Sequence, residues 1–298
     1  MSTVGQREKA TQARVVKLFR ERLGYDYLGD WIDETDNRNI EVEYLERFLK
    51  GKGYDQALIK RAIAEVQKVA TDQSRSLYDV NRSVYDLLRY GVKVRRDVGE
   101  NTETVWLIDW KKPEANQFAI AEEVTVKPSA SGDGKAFGKR PDVVIYINGI
   151  ALGVLELKRS TVSVSEGIRQ NLDNQKKIFI QHFFTTMQLV MAGNDTEGLR
   201  YGTIETAEKY YLTWKEEDPK FVPGVDPNDK KYLPSSTCDE GNTPLDCALA
   251  RLCRKDRFLE LIHDFIVFDA GVKKTCRHNQ LFGVRAAQNH VRKREGGI

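Results

Sequence analysis

Cysteine is scarce in this 298-residue chain: Cys238, Cys247, Cys253 and Cys276 are the full set, unevenly spaced and without a Cys-x-x-Cys pair. That spacing argues against a tetrahedral zinc site. A long apolar run is also missing, so nothing approaches a membrane span. The opening stretch "MSTVGQREKATQARVV" lacks the apolar core of a secretory signal. These absences predict free thiols in a reducing compartment, a cytoplasmic protein and no membrane partner. Excess charge of one sign is missing too: 47 basic against 44 acidic residues leave a formal net charge of +3. Any polyanion site must then be a local basic patch. The phosphate-binding pattern Gly-x-x-x-x-Gly-Lys-[Ser/Thr] does not occur. There is no nucleophile-elbow signature for Ser/His/Asp catalysis, and His182 and His278 lie far apart without carboxylates at metal spacing.

What is present falls into consecutive regions. Amphipathic periodicity predicts helices in "TQARVVKLFRERLGYD", "VEYLERFLKGKGYD", "DQALIKRAIAEVQKVA" and "SLYDVNRSVYDLLRYG", with Gly24 and Gly91 as C-terminal stops. Strands are expected at "TVWLIDW" (104–110), "FAIAEEVTV" (118–126), "MQLVMAGND" and "GLRYGTIET". A helix capped by Ser163 or Ser165 runs through "SVSEGIRQNLDNQKKIF". The expected class is α/β (α+β), a mixed β-sheet flanked by helices. The organisation follows: an N-terminal helical region (1–75), a strand-rich core (76–215), a Pro/Gly/Asp-rich linker or surface excursion (216–244) and a helical segment (245–298).

One stretch of the core stands out. "RPDVVIYINGIALGVLELKRS" (140–160) has two apolar runs around Asn148-Gly149, a hairpin signal, yet Asp142, Glu156 and Lys158 interrupt those runs. Burying unpaired charge is costly. Converging carboxylates suit Mg²⁺, a hard cation that takes oxygen ligands, and a nearby lysine can orient water or stabilise a pentacovalent phosphoryl transition state. The blander alternative is an edge hairpin whose charges face water. Geometry sharpens the choice. A plain two-residue loop would set Asp142 opposite Leu155 and turn it away from Glu156. The site therefore predicts a three-residue loop with left-handed Gly149, or a bulge in either strand. Lys135, Lys139 and Arg140, just before the hairpin, are candidates for phosphate contacts that position DNA without reading sequence.

The stretch "KRPDVVIYINGIALGVLELKRSTVSVSEGIRQNLDNQ" resembles the PD-(D/E)xK nuclease core in the restriction (R) subunit of type I restriction–modification enzymes. The resemblance extends through "LLRYGVKV", "FFTTMQLVMAGNDTEGLRYGT" and "FLELIHDFIVFDAGVKK" to "RHNQLFGVRAAQ". It implies a restriction-endonuclease-like fold, with Asp142 and Glu156 as metal ligands and Lys158 as the catalytic lysine. Gln170 matches the Gln of the family's Gln-x-x-x-Tyr element, while Asn174 stands in place of the Tyr. Asp79 and Glu46 are candidates for a third acidic residue. "RHNQ" resembles the adenine-reading motif of a superfamily 2 helicase-like motor, with Gln280 on the adenine edge and Arg277 supporting it. ATP binding is thus expected only in a longer subunit, of which this chain is expected to be an N-terminal piece. The implied partners are double-stranded DNA and the methyltransferase and specificity subunits. Alternatives are a non-catalytic module docking the motor to the methyltransferase core, or a nuclease of the recombination and repair type.

Overall fold

A computed structural model describes residues 3–34, 36–97, 99–128, 137–215 and 242–295. The chain opens with α1 (Thr3–Lys17), which runs into a π-helical turn at Leu18–Arg22, and then forms β1 (Asp26–Asp30). Next come α2 (Val42–Gly51), α3 (Gln56–Ala70) and α4 (Leu77–Tyr90), followed by the short pair β2 (Val92–Val94) and β3 (Glu103–Val105). The centre of the fold is β4 (Phe118–Glu122), β5 (Val143–Ile147), β6 (Ile150–Leu157), α5 (Val164–Asn174), β7 (Leu189–Asn194) and β8 (Gly198–Gly202). Beyond residue 241, α6 (Pro244–Leu252), α7 (Lys255–Phe265), the hairpin β9 (Val267–Asp269) and β10 (Val272–Lys274), and α8 (His278–Glu295) complete the described chain.

The principal sheet has six strands in the order β1-β4-β5-β6-β7-β8. β1 runs parallel to β4 and β6 parallel to β7, the latter joined by the α5 crossover; the other pairings are antiparallel. The expected mixed sheet flanked by helices is thus present. One side of the sheet packs Ile120, Val143, Ile145, Leu155 and Met191 with Phe19, Leu49, Ile59 and Leu88 from the N-terminal helices. The other side packs Ala121, Val144, Tyr146 and Val154 with Ile180, Phe183 and Phe184.

Local features that periodicity misses have identifiable causes. β1, "DYLGD", lies in a stretch read as helical, and it is only half-buried. Its strand identity comes from pairing with β4, because no alternation marks it. The segment "TVWLIDW" forms a strand only at its start: β2 holds Val92–Val94 against Glu103–Val105, and Trp106 leaves the ladder as its backbone N–H donates to the Tyr54 hydroxyl at 3.0 Å. Ser163 rather than Ser165 caps α5, its Oγ accepting from the Ser165 N–H at 3.3 Å.

The first 75 residues supply a sheet strand, and the segment after residue 244 shares the same hydrophobic core. Leu249, Leu252, Phe258 and Ile262 are buried in one cluster with Val15 and Ile145. Lys273 is buried in the β9–β10 hairpin and donates to Asn81 Oδ1 (2.7 Å), Gln188 Oε1 (2.6 Å) and the Met187 carbonyl (3.1 Å). Residues 216–241, Cys238 among them, lie outside the described residues, so the expected linker is not described. Cys253 and Cys276 are buried free thiols, but Cys247 is disulfide-bonded, which corrects the expectation of four free thiols. Spacing along the chain says nothing about which cysteines approach within bonding distance in space.

The 140–160 hairpin turns through two residues, not three. Ile147 pairs with Ile150, and Asn148 (φ 53°) and Gly149 (φ 81°) both adopt left-handed backbone, as a type I′ turn requires. Asn148 is fully buried and satisfied: its amide donates to the Leu107 carbonyl (3.0 Å) and Asn116 Oδ1 (2.9 Å), and its Oδ1 accepts from the Gln117 N–H (2.8 Å). Gly149 abuts α2, where a Cβ would lie 2.5 Å from the Glu41 carbonyl oxygen. Gly149→Ala combines a strained φ with a clash against backbone. It is expected to destabilise the protein by on the order of 3 kcal/mol in urea melts; an unchanged midpoint would show that α2 does not press on the turn.

Candidate active site

The alternative route to a common face, a bulge within the strands, is the one the structure takes. The pairs Val143↔Leu155, Val144↔Val154 and Ile145↔Gly153 are followed by Tyr146↔Ala151, so Leu152 is the extra residue in β6. Before the bulge β6 points Ile150 and Leu152 to the helical side; after it, Val154 joins Val144 and Tyr146 on the opposite side. Extending the shifted register sets Asp142 opposite Glu156. Both carboxylates then face α5, and Lys158, two residues on, shares that face. Without the bulge Glu156 would point into the core beneath α7.

The two carboxylates are in contact, sharing a side-chain hydrogen bond. Asp142 Oδ2 also accepts the Leu157 backbone N–H at 2.6 Å, which ties the end of one strand to the other. Glu156 is fully buried. Its Oε2 accepts from Gln170 Nε2 at 2.7 Å and its Oε1 from Asn174 Nδ2 at 3.4 Å. Gln170 and Asn174 are one helical turn apart on α5, so both reach down to the same strand residue. Asn174, where the family pattern places a tyrosine, thus approaches the same carboxylate, and its buried Oδ1 has no partner. α5 can sit this close because of Gly167: a Cβ there would lie 3.1 Å from Ala192 Cβ and within 3.6 Å of the Glu156 and Lys158 side chains.

Electrostatics follow from this burial. Desolvation pushes Asp142 up to about 6, against the opposing pull of the Leu157 N–H and Lys158. Desolvation and the neighbouring Asp142 charge push Glu156 well above the usual carboxylate range. The pair therefore holds a proton that a cation could replace. The donors are two adjacent carboxylates, hard oxygen ligands of the number with which Mg²⁺ is bound when water and substrate phosphates complete its shell. Among the described residues no cluster of three or more His, Cys, Asp or Glu offers a closed metal cage.

This arrangement sets a pH dependence. A carboxyl whose folded-state pKa is raised stabilises the fold below its unfolded pKa and loses that contribution as pH rises through the folded value. For Asp142 the window runs from about 4 to about 6 and is worth on the order of 3 kcal/mol. Metal-free protein is thus expected to lose stability from pH 4.5 to 7.5 in urea melts. Asp142→Asn should flatten that slope, and a slope unaltered by the substitution would show that Asp142 does not carry the strain.

Lys158 is partly buried. Its Nζ lies 3.6 Å from Glu8 Oε1, and Glu8 also raises the Glu156 pKa. α1 carries Glu8 to this place, held by Gln12 donating to Glu122 (2.8 Å), Thr11 donating to Asp195 (3.2 Å) and Arg14 paired with Asp195 and Asp246. Glu8 is the acidic side chain that sequence reading missed. No spacing links it to residues 142–158, because only the packing of α1 brings them together. The two acidic candidates named from sequence are elsewhere: Asp79 accepts from the Ser76 hydroxyl (2.6 Å) in the first turn of α4, and Glu46 pairs with Lys50 (2.8 Å) and accepts from Gln56 (2.9 Å) on an exposed face.

The other sequence candidates are scattered more widely. Arg140 pairs with Glu123, and Lys139 Nζ lies 4.0 Å from the centre of the Phe179 ring. Lys135 falls outside the described residues. Gln280 is exposed, its Oε1 accepting from the Arg277 N–H at 2.8 Å at the start of α8.

A six-stranded mixed sheet with helices on both sides, carrying an acidic pair and a lysine on a bulged hairpin, defines an α/β domain of the restriction-endonuclease-like class. The chain belongs to the family described as type I restriction enzyme R protein N terminus, whose model matches residues 5–209. It is 26% identical over 283 residues to a putative type I restriction enzyme MjaIXP endonuclease subunit of Methanocaldococcus jannaschii, covering 90% of this chain and 26% of that protein. It is 26% identical over 242 residues to the type I restriction enzyme HindI endonuclease subunit of Haemophilus influenzae, covering 77% of this chain and 21% of that one. The chain thus spans about a quarter of the length of these relatives. No described helix is long and apolar enough to cross a membrane.

Proposed function

We propose that this chain is the DNA-cutting domain of a type I restriction enzyme, a Mg²⁺-dependent endonuclease acting on double-stranded DNA. The observation that carries the reading is the Leu152 bulge. It places Asp142 and Glu156 in contact on the face that also carries Lys158, at the cost of burying two carboxylates together. A fold that needed only stability would put apolar residues there. Asp142 and Glu156 would hold the cation, which supplies positive charge to the scissile phosphate and acidifies a water. Gln170 and Asn174 fix the Glu156 carboxylate by hydrogen bonds, so its oxygens need little reorganisation on binding. Lys158 donates to the phosphoryl oxygens or the attacking water as charge builds in the transition state. Membership of a restriction complex, with methyltransferase and specificity subunits as partners and with ATP used by a motor joined to this domain, extends the reading to the longer protein. There Gln280 and Arg277 would contact adenine.

The test is plasmid relaxation. Supercoiled DNA should be nicked by this chain in Mg²⁺ and protected by EDTA, with Glu156→Gln inactive though folded. A wild-type chain that binds both Mg²⁺ and DNA yet leaves the plasmid intact would favour the non-catalytic docking role.

A further inference from the structure

Beside the acidic pair, on the same side of the sheet, lies an apolar projection that the cleavage chemistry does not use. Phe137 and Ile178 are exposed by 58% and 48%. They are held as a unit: the Phe137 N–H donates to the Ile178 carbonyl at 2.9 Å, and the Phe137 ring lies 6.2 Å from that of Phe179. Phe179 in turn lies under Lys139. Both ends of this unit are tied to the acidic pair. The Ile180 N–H donates to the Asn174 carbonyl at 3.2 Å, and Asn174 reaches Glu156. On the other strand, Val126 pairs with Lys139, and the Glu123 N–H donates to the Asp142 carbonyl at 2.9 Å. Ile178 lies four positions after Asn174, so their Cα atoms lie within about 14 Å of each other, some four base-pair steps along a duplex.

We propose that Phe137 and Ile178 form a wedge that enters the base stack of duplex DNA a few base pairs from the scissile phosphate, with Lys139 and Arg140 seated on the flanking backbone; this rests on the DNA-cleavage reading above. Apolar side chains inserted at a base step partly unstack it and kink the duplex, and basic neighbours secure the strands so bent. The surroundings favour DNA over a protein partner. Lys139 carries its charge on an aromatic face beside the wedge, and Arg140, half-exposed in its pair with Glu123, presents its guanidinium to solvent, where it can meet a phosphate. A wedge would give the domain a preference for deformable steps without any hydrogen-bonded reading of bases.

The experiment uses the whole 298-residue chain and short duplexes, each carrying one 2-aminopurine, with Ca²⁺ replacing Mg²⁺ to prevent cutting. Binding by the wild type should raise 2-aminopurine fluorescence several-fold at positions near the centre. The F137A/I178A double variant should bind with the same salt dependence but give no rise, while Phe137→Leu keeps most of it. K139A/R140A should still give the rise at saturation, with the slope of log affinity against log salt shallower by about 2. Circular dichroism confirms that each variant is folded. Fluorescence that stays flat on wild-type binding, or a rise that survives in F137A/I178A, overturns the wedge and leaves the cleavage reading standing. A wild-type chain that does not bind the duplex removes both.

Discussion

Lys158→Ala is expected to lower Mg²⁺-dependent cleavage by about a hundredfold or more, the ~3 kcal/mol that a charge-stabilising contact in a preorganised site supplies. The fold should survive. Lys158 Nζ lies 3.6 Å from Glu8 in a partly exposed pair, and such pairs contribute about 1 kcal/mol or less. The loss should therefore appear in the cleavage rate and not in the melting temperature. Removing the lysine leaves Glu8, Asp142 and Glu156 as neighbouring acids, so cation affinity should hold or rise, which isothermal titration can measure. In a longer protein carrying the motor, DNA-dependent ATP turnover should be unchanged, because Lys158 would act only on the scissile phosphate. Cleavage at the wild-type rate would remove Lys158 from catalysis. Loss of cutting and of ATP turnover together, in folded protein, would instead make the hairpin an assembly element.

A fragment ending at residue 215 is expected not to fold stably. Composition alone suggests that such a piece stands by itself, since residues 216–244 read as a linker. The packing predicts otherwise. Leu245, Leu249, Leu252, Phe258, Leu259, Leu261 and Ile262 are all buried in the main cluster, with the Phe258 ring against Gly153 next to the bulge. Tyr25, Tyr85 and Tyr201 donate their hydroxyls to the carbonyls of Cys253 (2.8 Å), Ile262 (3.0 Å) and Cys276 (2.8 Å). Each buried aliphatic or aromatic side chain contributes about 1.5–3 kcal/mol, so losing seven costs roughly 10–20 kcal/mol, as much as or more than the ~5–15 kcal/mol by which whole domains are stable. The fragment should bind a hydrophobic dye and melt without a cooperative transition, and a separately produced 243–298 piece should restore the transition on mixing. A sharp, dye-free melt of 1–215 alone would show that the C-terminal helices are an independent unit.

Much of the site was legible from residues alone, and particular positions show why. Asp142, Glu156 and Lys158 stood out because charges inside apolar strands are costly to bury, and Asn148-Gly149 marked the turn because few other pairs tolerate two left-handed residues. Gln170, by contrast, stood out only through the resemblance to the family's Gln-x-x-x-Tyr element. For the other residues the information is local, carried by residues a few positions apart or by the price of a charge in an apolar run. The strands β5 to β8 were readable for the same reason, through continuous apolar runs bounded by turn residues.

Tertiary structure alone decided the rest. The two-residue turn and the Leu152 bulge are both compatible with the sequence. The bulge is settled by which side each β6 residue can bury, Leu152 and Leu155 against the helices and Val154 with Glu156 beneath α5. Strand β1 exists because β4 has an open edge to pair with, which no property of "DYLGD" announces. Glu8 arrives at Lys158 from 150 positions away along the chain, carried by a helix whose placement depends on Arg14 and Gln12 finding acids on other elements. The sequence by itself determined which charged residues stand out within the apolar hairpin, because residue type and local spacing carry that. The tertiary structure determined which acids meet and on which face, because register, bulge and helix docking are settled by the burial of the whole core at once.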